Sequence, residues 1–175
     1  MEEMLDVLDE NGIKTGEILT RKEVHKQGLW HKIIAIAIID ENSQILMQQR
    51  SFTKDTNPGK WDISAAGHVS AGQTPLEASV REINEEVGIE VGENDLTYIL
   101  TYKKESYVRE DYKDKQIFDC YIAKVKEINM NDIILQESEV ADAKLVTKEE
   151  FKKMVETGNM VKRPEFYKAL IEYLF

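Results

Sequence analysis

Residues 67–89 read GHVSAGQTPLEASVREINEEVGI, and their reading decides the fold. Glu82, Glu85 and Glu86 fall at i, i+3 and i+4. On a helix that spacing puts all three carboxylates on one face. Like charges so placed repel by roughly a few tenths of a kcal/mol per pair. A divalent cation reverses the sign, because hard cations such as Mg²⁺ take oxygen ligands and bridge carboxylates to substrate phosphates. With no ion to hold, the same three residues are a solvated acidic helix face.

The helix is delimited at both ends. Thr74 suits an N-cap, and Glu77 three residues later completes a capping box. Pro75 falls at the first helical position, where its missing N–H costs nothing. Gly88 follows the last periodic residue and suits a C-terminal cap. Leu76, Val80, Ile83 and Val87 form one apolar stripe, which must face the core. At about 100° per residue, the glutamates centre roughly 140° from that stripe. The expectation is a helix that buries one side and presents acid on the other. Arg81 lies four residues from both Glu77 and Glu85 and can hold either.

The stretch resembles the box of the Nudix hydrolase family. That box is a glycine, five residues, a glutamate, seven residues, then Arg-Glu-apolar-x-Glu-Glu-x-Gly-apolar. Gly67 opens it here, and Arg81 to Ile89 matches its second half at every specified position. One position departs: Gln73 stands where the family has its first glutamate. Gln73 keeps hydrogen-bonding capacity and loses a charge. The resemblance implies an α+β fold, the Nudix α/β/α sandwich with a mixed sheet. It also implies a MutT-like hydrolase that acts on phosphorylated substrates with Mg²⁺ or Mn²⁺.

Composition fits such an enzyme. The 175 residues suit a single domain with a real core, 1–175. Charged residues make up 32% and hydrophobic ones 42%, ordinary for globular chains. A net charge of −10 argues against a long nucleic acid as partner, which needs a basic face. The lone Cys120 excludes an internal disulfide and fits a reducing, cytoplasmic setting. The acidic start, MEEMLDVLDE, is not that of a signal peptide, and no apolar run reaches membrane-spanning length. A monomer or homodimer is expected.

Working outward, Met4–Leu8 and Ile13–Leu19 flank Asn11-Gly12 and read as a hairpin, making residues 1–30 an N-terminal hairpin extension of the domain. Thr20 can cap a short helix that ends near Gly28. Lys32–Ile39, KIIAIAII, reads as a buried central strand, with Ile45–Arg50 as its partner. Asn57-Pro58-Gly59 is a turn before Trp61–Ala65. Leu96–Tyr107 and Gln116–Val125 read as paired strands around a charged loop, Arg109–Lys115. Helices follow from Thr147 to Glu156 and from Pro164, the latter with Phe166, Leu170 and Leu174 as its inner stripe.

Further phrases, LMQQRS and NPGKWDISAAGHV with Arg21, His25 and Leu29-Trp30-His31 upstream, resemble Nudix proteins close to type 1 isopentenyl diphosphate isomerase. In those isomerases three histidines and two glutamates hold a metal, and a cysteine relays a proton. His25, His31 and His68 fall where the histidines would lie. Ala66 stands at the cysteine position, and alanine relays no proton. Lys113 to Ile117 offers no Glu-x-Glu pair. The three histidines are either ligands of a second ion or braces that hydrogen-bond the loops around the site.

The expected activity is therefore metal-dependent hydrolysis of a nucleoside diphosphate linked to another group, X. Two other readings are an isomerase-like enzyme and a non-catalytic Nudix-fold ligand-binding module, toward which Gln73 leans. Glu82, Glu85 and Glu86 are the metal-ligand candidates. Glu85, Glu86 and a distal loop acid, Glu139 with Glu137 second, are the candidates for accepting the water's proton. Arg50, Lys60 and Trp61 are the substrate-binding candidates, with Lys54 a further phosphate contact. Gly67, Gln73, Arg81 and Gly88 are the supports.

Overall fold

The computed structural model describes all residues, 1–175. Two strands, β1 (Met4–Leu8) and β2 (Lys14–Thr20), form the N-terminal hairpin. Helix α1 (Arg21–Gln27) follows, capped by the Thr20 hydroxyl and ended by Gly28 at φ 69°. The central strand β3 (Trp30–Ile39) carries the apolar run. Its residues alternate between two cores. Ile33, Ala35, Ala37 and Ile39 face one, and Ile34, Ile36 and Ile38 face the other. Both faces of the sheet are covered, which is why the run lacks a polar alternation.

β3 pairs in parallel with β8 (Tyr112–Lys124) over its whole length, from Trp30 opposite Lys115 to Ile39 opposite Lys124. On its other edge it pairs antiparallel with β6 (Ala65–His68), Ile33 opposite His68 and Ile36 opposite Ala65. β7 (Leu96–Arg109) extends the sheet beyond β8. A second group of strands comprises β4 (Ile45–Arg50), β5 (Trp61–Asp62) and β9 (Val140–Val146). β4 touches β3 at one pair, Ile39 with Ile45, and takes β9 as its main partner. Ile45–Arg50 is therefore a partner of the central strand only at its first residue, because β8 takes one edge of β3 and β6 the middle of the other. The sheet is mixed, nine strands in all.

Helix α2 (Pro75–Val87) covers one face through Ala78, Ile83 and Val87. Helices α3 (Lys148–Thr157) and α4 (Pro164–Leu174) cover the other through Phe151, Phe166 and Leu170. Fully burying each of these large side chains contributes about 1.5–3 kcal/mol. The expected loop Arg109–Lys115 is mostly strand, since β7 and β8 stay paired until Arg109 meets Tyr112. Charged side chains hid that hairpin because they project from its exposed tip. No helix is long and apolar enough to cross a membrane.

Candidate functional site

Helix α2 starts as its local sequence requires. The Thr74 hydroxyl accepts from the Glu77 N–H at 3.2 Å, and the Glu77 carboxylate accepts from the Thr74 N–H at 2.8 Å. Gly88 ends the helix at φ 72°, where a Cβ would also lie 2.9 Å from Ile134. Glu77 is spent in the cap, so Arg81 turns the other way.

The glutamates do not form a solvent-facing stripe. Glu82 is 9% exposed and Glu86 4%, while Glu85 is exposed. The expected acid-outward face is corrected: α2 presses Glu82 and Glu86 against β6 and β4. Two features make room for them. Gly67 has no side chain, and a Cβ there would meet the Glu82 carboxylate at 2.3 Å. Gln48 on β4 donates its amide to Glu86 Oε2 at 2.7 Å, and the Ala66 N–H donates to the same oxygen at 3.3 Å. Arg81 Nη1 donates to Glu82 at 2.7 Å and to Glu85 at 3.1 Å. Its Nη2 donates to the His68 carbonyl at 3.0 Å and to Gln73 Oε1 at 3.4 Å. Gln73 thus supplies an acceptor to Arg81, a task that needs an oxygen and not a charge.

Burial pushes the Glu82 carboxyl up to about 7, with Arg81 opposing. Glu86 is raised well above its ordinary range by burial first and by the charge of Glu82 second. Carboxylates held this way are costly as a bare cluster and are relieved by a cation.

A histidine cluster adjoins them. His25 on α1, His31 on β3 and His68 on β6 have ring centroids 4.9–5.3 Å apart. The Nδ1 atoms of His25 and His31 donate to the carbonyls of Arg21 and Leu29, at 2.7 and 2.9 Å. That tautomer leaves each Nε2 as a lone pair. All three Nε2 atoms are buried with no hydrogen-bond partner, as is Asp114 Oδ1 on β8. Asp114 Oδ1 lies 3.0 Å from His25 Nε2 without hydrogen-bond geometry. Two lone pairs facing each other need a proton or a metal ion between them. Burial drives His31 down to about 4 and His68 well below its ordinary value, so both are neutral at pH 7, the form that ligates metals. His31 does brace a loop through Nδ1, at Leu29, and His25 braces its own helix at Arg21; all three also carry unpartnered Nε2 atoms close to one another. Asp114 is the single carboxylate of the segment Lys113–Ile117, where no Glu-x-Glu pair was expected.

The three glutamates line a cavity of about 670 Å³; of the histidine cluster, His68 and Asp114 reach it, while His25 and His31 do not line it. Arg50, Lys54, Lys60 and Glu139 line it with the three glutamates. Glu139 reaches it because its loop is tied to α2, the Gln136 N–H donating to the Glu86 carbonyl at 3.2 Å. Its carboxylate pairs with Lys54 at 2.5 Å. Glu137 does not line the cavity. Trp61, expected as a stacking platform, does not line it either. It packs on the α3/α4 core with Lys144 4.2 Å above its ring. The opposite strand residue, Asp62, turns inward instead. The reading of the sequence passed over Gln48, Asp114 and Arg163. Their signal was a polar residue inside an apolar strand for the first, and none for the others, whose partners are far along the chain.

The NUDIX domain model matches residues 29–170. An uncharacterised Nudix hydrolase of Listeria monocytogenes is 38% identical over 162 residues, covering 93% of this chain and 89% of that protein. Nudix hydrolase 3 of Arabidopsis thaliana is 36% identical over 154 residues, which is 86% of this chain and 20% of that protein. An isopentenyl-diphosphate Delta-isomerase of Serratia proteamaculans is 38% identical over 88 residues, 50% of this chain and 49% of that enzyme. A solved Deinococcus radiodurans structure shares the fold, with TM-score 0.70 at 18% identity over 98% of this chain and 97% of that one. With the domain model running from the start of β3 into α4, and a relative matched over most of both chains, this chain belongs to the Nudix hydrolase family and is a pyrophosphohydrolase of that family.

Proposed function

We propose that this enzyme cleaves a nucleoside diphosphate linked to another moiety, X, with Mg²⁺ or Mn²⁺ held by Glu82, Glu85 and Glu86. One observation supports this most. Buried carboxylates packed against a side-chain-free Gly67 share a cavity with Arg50, Lys54 and Lys60. An all-oxygen donor set suits a hard cation. Such an ion, when bound, neutralises diphosphate oxygens and lowers the pKa of an attacking water.

The chain's own residues do the rest. Gln48 and the Ala66 N–H hold Glu86, and Arg81 holds Glu82 and Glu85. Glu85, Glu86 or Glu139 takes the proton of the water, with Lys54 orienting Glu139. Arg50 and Lys60 hold phosphate oxygens. Gly67, Gln73 and Gly88 are the supports, each for the local reason given above. Residues 1–30 belong to the same domain in this account, since they bring Glu3 and Arg21 to the cavity and His25 to the histidine cluster.

His25, His31 and His68, with Asp114, fit a second cation. Imidazole nitrogens with one carboxylate suit a borderline transition metal better than Mg²⁺. The orphaned Nε2 atoms favour this over a purely bracing role.

A screen of nucleoside diphosphates and triphosphates, sugar nucleotides, dinucleoside polyphosphates and prenyl diphosphates tests the proposal, each with Mg²⁺ and with Mn²⁺. The expected result is metal-dependent release of a monophosphate from an X-linked nucleoside diphosphate. Binding without turnover on every compound would favour the ligand-binding module instead.

A further inference from the structure

The cavity has a second charged wall that metal binding and water activation do not use. Asp62 on β5 is fully buried. Its carboxylate accepts from Arg163 Nε at 2.7 Å and from Arg163 Nη2 at 2.8 Å. Arg50 Nη1 stands 3.9 Å from the same carboxylate. Arg163 is 5% exposed, lies over the Phe118 ring at 5.2 Å and lines the cavity. One carboxylate therefore serves two guanidinium groups.

Lys104 on β7 adds to the excess. Its Nζ donates to the Lys162 carbonyl at 3.3 Å and has no carboxylate within salt-bridge distance. Burial first, and the neighbouring Arg163 second, push its amine down from the ordinary value. Lys162 lines the cavity beside it. Elsewhere in the cavity Arg21 pairs with Glu3, Lys54 with Glu139, and Arg81 with Glu82 and Glu85, while Lys60 stands without a carboxylate at the opposite, phosphate-holding side. In a chain of net charge −10, acids are abundant, yet only Asp62 pairs with this wall, and neither Lys104 nor Lys162 has a carboxylate partner.

The wall is also apart from the glutamates. Gly67, under Glu82, sits on β6, and Lys104 sits on β7. The strand order β6–β3–β8–β7 puts three spacings between them, about 14 Å at the usual strand separation.

We propose that Arg163, Lys104 and Lys162 form an anion subsite that receives a negatively charged group, phosphate or carboxylate, carried by X. Asp62 is its positioning residue: it fixes the guanidinium plane by a bidentate contact through Nε and Nη2 and leaves Nη1 without a carboxylate partner. This deepens the proposed hydrolase reading, and X is then an anionic group and not a neutral sugar or a hydrocarbon.

The test separates the two. The metal-free protein, in chelator, is titrated with inorganic phosphate while the Arg163 Nε–H resonance is followed by NMR. Without a metal the glutamates offer phosphate no bridging ion, and Lys60→Met controls for phosphate held at the other side of the cavity. The expected result is a saturating shift at Arg163, weakened about 10-fold by Lys104→Met and unaltered by Glu85→Gln. Arg163→Lys should also weaken it, by loss of the bidentate plane. If Arg163→Lys fails to fold, Lys104→Met and Lys162→Met carry the test. No shift at Arg163, or equal loss in Lys60→Met, would overturn the subsite. For the active enzyme, UDP-glucuronate should have a lower KM than UDP-glucose, and Lys104→Met should erase that difference. Equal KM values in the wild type would contradict the assignment to X. Inactivity of Glu85→Gln bears on the hydrolase reading only.

Discussion

Gly67 and Glu82 are packed so closely that a Cβ on the glycine would lie 2.3 Å from the glutamate carboxylate. The contact explains why the chain needs a glycine on a strand, where glycine is ordinarily unfavourable. Gly67→Ala should push Glu82 out of line with Glu85 and Glu86. The expected outcome is a folded protein, destabilised by about 1–3 kcal/mol as in other overpacked sites, with weakened Mg²⁺ binding by calorimetry. Unchanged metal affinity in Gly67→Ala would remove Glu82 from the ligand set.

The raised carboxyls set a pH dependence with a definite sign. Burial raises Glu82 to about 7 in the fold against an ordinary 4.5, and Glu86 is raised in the same direction. Their folded forms hold protons that the unfolded chain releases, so their contribution is present below about 4.5 and lost as pH rises through about 7. His31 and His68 act oppositely. Their depressed values make the fold lose stability as pH falls below 6.5. A single variant isolates the first effect. In metal-free urea unfolding, Glu86→Gln should gain on the wild type as pH rises above the ordinary carboxyl value of 4.5. Saturating Mg²⁺ should cancel or reverse the gain. A gap independent of pH would contradict the raised carboxyls.

The histidine cluster makes a separate prediction. Co²⁺ should bind with the visible absorption of a nitrogen-ligated site and raise the Tm. His31→Ala should abolish both, while Glu85→Gln should leave the absorption in place. Absence of any Co²⁺ spectrum in the wild type would return the histidines to a bracing role.

Isomerase chemistry should be absent. Ala66 lies on β6, with its N–H used on Glu86 and only a methyl to offer. Asp114 faces His25 as a lone carboxylate, and no Glu-x-Glu pair precedes Ile117. Proton transfer to an alkene needs a positioned acid and a positioned base. Neither the wild type nor Ala66→Cys should interconvert isopentenyl and dimethylallyl diphosphates with Mg²⁺. Exchange above the no-enzyme background in the wild type would refute this.

What was legible in the sequence was local. The caps of α2 at Thr74, Glu77 and Gly88 depend on residues within a few positions of one another, and they form as read. The apolar run of β3 marked a strand buried on both faces. What was hidden depends on distant partners. An apolar stripe could not reveal that Glu82 and Glu86 are buried, because Gly67 and Gln48 make their places from other strands. Val140–Val146 escaped as a strand because its β-signal is thin, VADAKLV, and its ladder partner lies near residue 48. Asp114 looked like one more charge in a charged run, and only the fold sets it against His25.

The central claim is that the α2 glutamates hold the metal that activates water. Glu85→Gln and Glu86→Gln should each lower metal-dependent turnover by about 10²-fold or more, the scale of removing one strong electrostatic or acid–base contribution. Both should remain folded, since glutamine keeps the shape and, at buried Glu86, removes a charge that burial disfavours. The direct measurement is kcat at saturating Mg²⁺ for the double variant Glu85→Gln, Glu86→Gln, with folding checked by circular dichroism. Turnover reduced to background in a folded protein is the predicted result; near-wild-type kcat would contradict the account.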